Sequence, residues 1–176
     1  AGTRQVSFSK HLWIERSDYL EVPFKKYYRL FPGNEVRLKH AYVVKCTGAR
    51  LDDKGQIVEV FAEYDPESRG GNTADGRRIR GTIQFIDQKT AVDAEVRLYD
   101  RLFTVEDPDA AEDYLSVINH DSLEVLEHVK LEASLADAQV GESFQFMRTG
   151  YFTLDNTDST PEKPVFNRSV SLKDSF

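Results

Sequence analysis

Alternating positions and short apolar runs dominate this chain. Leu12-Trp13-Ile14, Glu35 to Val44, Ile57 to Tyr64, Gly81 to Ile86, Val92 to Phe103, Leu123 to Val129, Ser143 to Phe146 and Gly150 to Leu154 carry the β-branched and aromatic content of strands. Turn-forming residues separate them at Pro32-Gly33-Asn34, Asp52-Asp53-Lys54-Gly55, Asp65-Pro66, Gly70-Gly71-Asn72 and Asp75-Gly76. The Asp52 to Gly55 stretch predicts a hairpin, because its glycine supplies the positive φ that such a turn needs. Helical signal is confined to short pieces. Asp107 to Asp113 has a capping carboxylate, a proline at the first helical position and acids in the first turn, and Ser134 to Ala138 predicts one more turn. Regularly spaced strands with turns between them predict an all-β fold of barrel or sandwich type. Glu35-Val36-Arg37-Leu38 returns as Glu95-Val96-Arg97-Leu98 sixty positions later, a weak sign of two related halves.

Composition narrows the class. At 176 residues the chain fits one ordinary domain or two small ones, and its 11% aromatic content argues against intrinsic disorder. No apolar run approaches the roughly 20 residues of a membrane-spanning helix, and no uninterrupted apolar stretch in the first twenty residues marks a secretory leader. Cys46 is the single cysteine, so an internal disulfide framework and any multi-cysteine metal site are excluded, and a reducing cytoplasmic setting is the default expectation. Met147 is the only methionine, from which the chain is expected to be a portion of a larger protein.

Charge is distributed unevenly. The net charge is −7, yet from Val22 to Arg50 seven cations (Lys25, Lys26, Arg29, Arg37, Lys39, Lys45, Arg50) face Glu35 alone. From Glu106 to Asp137 the acids predominate, with Lys130 as the one opposing lysine. The basic segment is interleaved with Phe24, Tyr27, Tyr28, Phe31 and Tyr42, the composition of a platform for unpaired RNA, in which cations meet phosphates and flat groups stack on bases. On composition alone, the same pattern more often describes barrel core beneath a solvated charged face.

Catalytic chemistry finds little support. His11, His40, His120 and His128 have no metal-ligating spacing, and no nucleophile elbow or glycine-rich phosphate loop is present. Cys46 sits in an apolar run and is expected to be a small buried hydrophobe, and His40 a structural, partly exposed histidine. Asp52 to Gly55 is too short for a calcium loop. Arg77, Arg78 and Arg80 form a second basic cluster, expected to meet phosphate or solvent rather than a base.

Several stretches together resemble one family. They open with Arg4-Gln5-Val6-Ser7-Phe8-Ser9, Leu12-Trp13-Ile14-Glu15-Arg16, Glu35-Val36-Arg37-Leu38 and Ala41-Tyr42-Val43-Val44-Lys45. They continue through Arg97-Leu98-Tyr99-Asp100-Arg101-Leu102-Phe103 and Asp113-Tyr114-Leu115-Ser116-Val117-Ile118-Asn119. They close on Phe144-Gln145-Phe146, Gly150-Tyr151-Phe152 and Glu162-Lys163-Pro164-Val165-Phe166-Asn167-Arg168. Along essentially its whole length the chain resembles the C-terminal anticodon-binding region of the glutaminyl-tRNA synthetases. The glutamyl enzymes share the architecture, but the closing run is more similar to the glutaminyl branch.

The resemblance implies two consecutive β-barrels with a few short helices, approximately residues 1–85 and 86–176, with strands free to cross between them. It implies a tRNA(Gln) anticodon loop as partner and a catalytic domain in the same polypeptide. It implies a cytoplasmic monomer with no DNA or membrane partner, and a parent glutamine–tRNA ligase that uses ATP and Mg²⁺. The fragment itself is expected to be inactive and to hold no cofactor or metal. By the same resemblance Arg37 reads the first anticodon base, with Lys39 expected beside it on the same strand face. Arg29, with Lys26 nearby, falls among the residues around the third base. Gln145 and Arg148 match a segment touching the middle and third bases. Met147 stands where that segment usually has Glu, and Tyr28 where a Lys can occur; both join the candidate set. Lys163 and Arg168 are expected to be structural, pairing with acids inside the proximal barrel. The competing expectation is a protein-interaction module using the acidic 106–137 stretch.

Overall fold

The computed structural model describes residues 3–172. Its regular elements are strands and single turns of 3-10 helix, so the all-β class expected from the pattern is observed. The chain divides after Thr90 into two compact units.

In the first unit, β1 (Leu12–Trp13) pairs antiparallel with β6 (Ile86–Asp87). A four-stranded sheet runs in the order β4 (Ile57–Tyr64), β3 (Val43–Leu51), β2 (Glu35–Leu38), β5 (Gly81–Ile83). The predicted hairpin joins β3 to β4. Asp52 Oδ1 accepts from the Lys54 and Gln56 amides at 2.9 and 2.8 Å, and Gly55 takes φ +76°. The core gathers Tyr19, Leu30, Val36, Leu38, Ile83 and Phe85. Cys46 is buried among them as expected, and burial pushes its thiol pKa up.

The second unit holds a five-stranded sheet in the order β8 (Leu123–Leu131), β7 (Val92–Tyr99), β11 (Val165–Ser171), β10 (Gly150–Leu154), β9 (Ser143–Phe146). Its core is Ala94, Val96, Leu131, Phe152 and Phe166. Glu95 is buried here, held by Arg97 at 2.8 Å and Lys163 at 2.7 Å. Lys163 therefore meets an acid as expected, whereas Arg168 gives its Nη2 to the Tyr99 carbonyl at 3.2 Å.

The repeated tetrapeptide occupies equivalent places. β2 pairs antiparallel with β3, the next strand in sequence, and parallel with the later β5. β7 pairs antiparallel with β8, again the next strand, and parallel with the later β11.

Four expectations need correction. The run from Glu35 to Val44 is two strands: His40 takes φ +66°, the Ala41 amide donates to Leu38 O at 3.0 Å and the Leu38 amide to Tyr42 O at 2.8 Å. Lys39 consequently lies in the turn after β2 rather than on the strand. The run from Gly81 to Ile86 divides likewise between β5 and β6, which join different sheets. The run from Val92 ends at Tyr99, and Phe103 makes a separate bridge with Ile118. Finally, the helical stretches are 3-10 turns, Pro108–Ala110, Tyr114–Val117 and Ala133–Leu135. Asp107 makes no side-chain cap, whereas Asp113 caps the Leu115 amide at 2.9 Å.

Candidate nucleic-acid interface

In the first unit, residues 15–34 form an excursion closed by its own backbone. A 3-10 turn, Arg16–Asp18, leads to Tyr19, whose bridge to Leu30 is flanked by Leu30 N–Asp18 O at 2.9 Å and Leu20 N–Leu30 O at 3.1 Å. The loop between must protrude. At its tip the Tyr27 amide donates to Phe24 O at 3.0 Å, and Lys26 takes φ +70°. Phe24 is 67% exposed and Tyr28 45% exposed, unlike core aromatics. The tip therefore presents Lys25 and Lys26 beside open aromatic faces, with Phe24 and Tyr27 edge to face at 5.2 Å.

Arg29 is anchored at the foot of this loop. Its Nη1 pairs with the fully buried Asp18 at 3.2 Å and donates to Ser17 O and Oγ at 3.1 and 3.0 Å. A buried carboxylate is costly unless paired, so Arg29 holds the loop closed while its side chain stays 35% exposed. Arg37, on β2, is half-buried. Its Nε donates to Gly71 O and its Nη1 to Ile79 O at 3.3 Å, tying β2 to the 71–80 segment. Gly71 has φ +90°, and a Cβ there would meet Arg37 Cδ at 2.5 Å. Lys39 is half-buried in the following turn, its amide on Ile83 O at 3.0 Å.

The second basic cluster separates. Arg77 is neutralised by three carboxylates: Glu35 at 2.9 Å, Asp65 at 2.9 Å and Asp75 at 3.0 Å. Those hydrogen bonds, Glu35's foremost, hold its pKa above the ordinary arginine value. Arg78 and Arg80 are exposed and, among the described residues, meet no carboxylate. The Arg80 guanidinium instead lies 5.6 Å from the Tyr28 ring centre. Together with Tyr27, Phe31, Asn34 and Gly81 these side chains line a cleft of about 380 Å³. The sequence alone does not set Arg78 and Arg80 apart from Arg77, because that separation depends on acids distant along the chain.

In the second unit, Gln145 is exposed on β9 while Phe144 and Phe146 turn toward the core. The Thr149 amide donates to Phe146 O at 3.0 Å, and Arg148, exposed, takes φ +68°. Met147 is exposed in the same turn. Tyr151, exposed on β10, lies directly across from Gln145, on the outward side that the alternation of Gly150 to Leu154 gives it. The structure thus gathers Lys26, Tyr28 and Arg29 on one loop with Arg37 and Lys39 elsewhere in the first unit, and Gln145, Met147 and Arg148 on one hairpin of the second.

Two family models match, both described as tRNA synthetases class I (E and Q), anti-codon binding domain; one covers residues 1–65 and the other 82–155. The chain is 46% identical over its whole length to a glutamine–tRNA ligase of Bradyrhizobium diazoefficiens, covering 31% of that protein. It is 49% identical over 175 residues to the glutamine–tRNA ligase of Escherichia coli O157:H7, 99% of this chain and 31% of the relative. It is 48% identical over 176 residues to that of Tolumonas auensis, all of this chain and 32% of the relative. The chain therefore spans about a third of the length of these relatives.

Proposed function

The chain belongs to the anticodon-binding domain family of the class I (E and Q) tRNA synthetases, and we propose that it reads the anticodon loop of tRNA(Gln) within a glutamine–tRNA ligase. Each compact unit serves as one barrel-like half of the reader. The observation that carries the reading is the protruding loop of the first unit, where exposed aromatic faces alternate with cations. Unpaired RNA bases are recognised by such faces, and their phosphates by such cations.

Arg37 and Lys39 serve the first base, Arg29 with Lys26 the third, and Gln145 with Met147 and Arg148 the middle and third. The residue types suit base reading, since arginine offers a planar fork, lysine a point charge, and the glutamine amide both a donor and an acceptor for a uracil edge. ATP and Mg²⁺ act in the catalytic part of the same polypeptide, with the whole working as a cytoplasmic monomer. The acidic stretch, with exposed Tyr114, Leu115 and Leu123, repels RNA and faces that part instead.

Photocrosslinking tests the placement. A stem-loop with 4-thiouridine at the middle base of CUG should crosslink to the peptide containing Gln145 to Arg148. Crosslinks confined to Phe24 to Arg29 would overturn the assignment of the middle base.

A further inference from the structure

We propose that the cleft between the Tyr27–Asn34 and Arg78–Gly81 segments holds one unpaired ribonucleotide whatever its base, the base stacked on Tyr28 and the phosphate between Arg78 and Arg80. This rests on the reading of the chain as an anticodon-loop binder and adds a sequence-independent grip to it.

Three observations carry the inference. The first is a stacking surface. Tyr28 is 45% exposed, and the Arg80 guanidinium lies 5.6 Å from its ring centre, so an aromatic face and a guanidinium plane share one opening. Both are surfaces on which any base stacks, because every base has a π-face. The second is charge. Glu35 is the one carboxylate lining the cleft, and Arg77 neutralises it through bonds of 2.9 and 3.0 Å from outside the lining. Arg78 and Arg80 thus face the cleft with no opposing anion among the described residues. A phosphate entering there meets two guanidinium groups that no carboxylate among the described residues holds, and these suit it as bidentate donors.

The third is a rigid wall. Asn34 Nδ2 donates to Arg29 O at 2.7 Å, and the Gly33 amide to Cys46 O at 2.8 Å. Gly81 packs so closely on the Tyr28 carbonyl that no side chain fits there, which fixes Tyr28 against β5. The cleft, about 380 Å³, is within the range of small-ligand sites. Contacts to a ring face and a phosphate carry no sequence information.

The test uses the 176-residue chain and labelled anticodon stem-loops with CUG or with each base changed, titrated from about 50 to 200 mM salt. Tyr28→Ala should weaken binding roughly 5- to 100-fold for every anticodon alike, and Tyr28→Trp should restore it. Arg78→Ala and Arg80→Ala should each lower the salt slope by about 0.7. A Tyr28→Ala loss confined to one anticodon sequence would overturn the proposal, as would unchanged affinity in all three alanine variants. Failure of the broader reading looks different: the unsubstituted chain would not prefer CUG, while the uniform losses would persist. An unsubstituted chain that binds no stem-loop would overturn both.

Discussion

Arg37 and Gly71 should be energetically coupled, and the size of the coupling follows from the contact between them. Arg37 Nε donates to Gly71 O and Nη1 to Ile79 O at 3.3 Å. A hydrogen bond from a charged donor contributes about 1.5–3 kcal/mol when well made. The second bond is long and the side chain is half-exposed, so Arg37→Ala should cost about 2 kcal/mol. Gly71→Ala meets two obstacles. At φ +90° an L side chain is strained by about 1–2 kcal/mol. Its Cβ would also sit 2.5 Å from Cδ and 2.6 Å from Cγ of Arg37, the middle of that side chain, so the arginine must leave and forfeit its bonds. Gly71→Ala should therefore cost about 3–4 kcal/mol, and the double variant no more than that. The coupling is then about 2 kcal/mol. Urea denaturation reads it, followed by fluorescence of Trp13, the sole tryptophan, which lies in β1 of the first unit. Additive losses would refute the contact. A loss below about 0.5 kcal/mol in Arg37→Ala would show that the guanidinium is free, as a pure base reader would be. With RNA, Arg37→Ala should also lower affinity most for anticodons keeping the matched first base.

Further outcomes follow from the same geometry. Lys26→Gly should raise stability by about 1 kcal/mol by relieving its left-handed backbone while weakening RNA binding, a divergence that urea melts and titration together would detect. Arg29→Met should destabilise the first unit by about 2–4 kcal/mol because the buried Asp18 carboxylate loses the guanidinium that pairs with it, and adding Asp18→Asn should recover most of that loss in urea. Glu95's carboxyl is held below its ordinary pKa by Lys163 first and Arg97 second. Its stabilisation is complete above the unfolded value near 4.5 and fades as pH falls through the lower folded value. Glu95→Gln should flatten that acid limb in melts recorded by circular dichroism between about pH 2 and 6.

How much of this was legible in the chain depended on whether the determining contact was local. Ser143 to Phe146 and Gly150 to Leu154 were recoverable because alternation inside each run encodes which side faces the core. The Asp52 to Gly55 hairpin was recoverable because its capping carboxylate and its glycine are neighbours. The break after Leu38 was hidden, since a histidine rather than glycine or asparagine takes the left-handed position. The strand Val165–Ser171 has no local signature: lying between β7 and β10, it buries Val165 and Phe166 consecutively and so lacks alternation. The same limit applies to the candidate interface. The mixture of cations and aromatics between Val22 and Arg50 is visible by inspection. Which cations are engaged internally is not, because Asp18, Gly71 and the trio of acids around Arg77 reach their partners only through folding.

The central claim is most directly tested by fluorescence anisotropy of this chain with a labelled CUG anticodon stem-loop. A stem-loop differing only in its anticodon serves as control, and both are titrated at low and moderate salt. Tighter binding of CUG at both salts is the expected result, because base-edge contacts of about 1–3 kcal/mol each survive the screening that weakens phosphate contacts. Equal affinity for both stem-loops, lost together as salt rises, would contradict the account and leave the two units as a grip on phosphate alone.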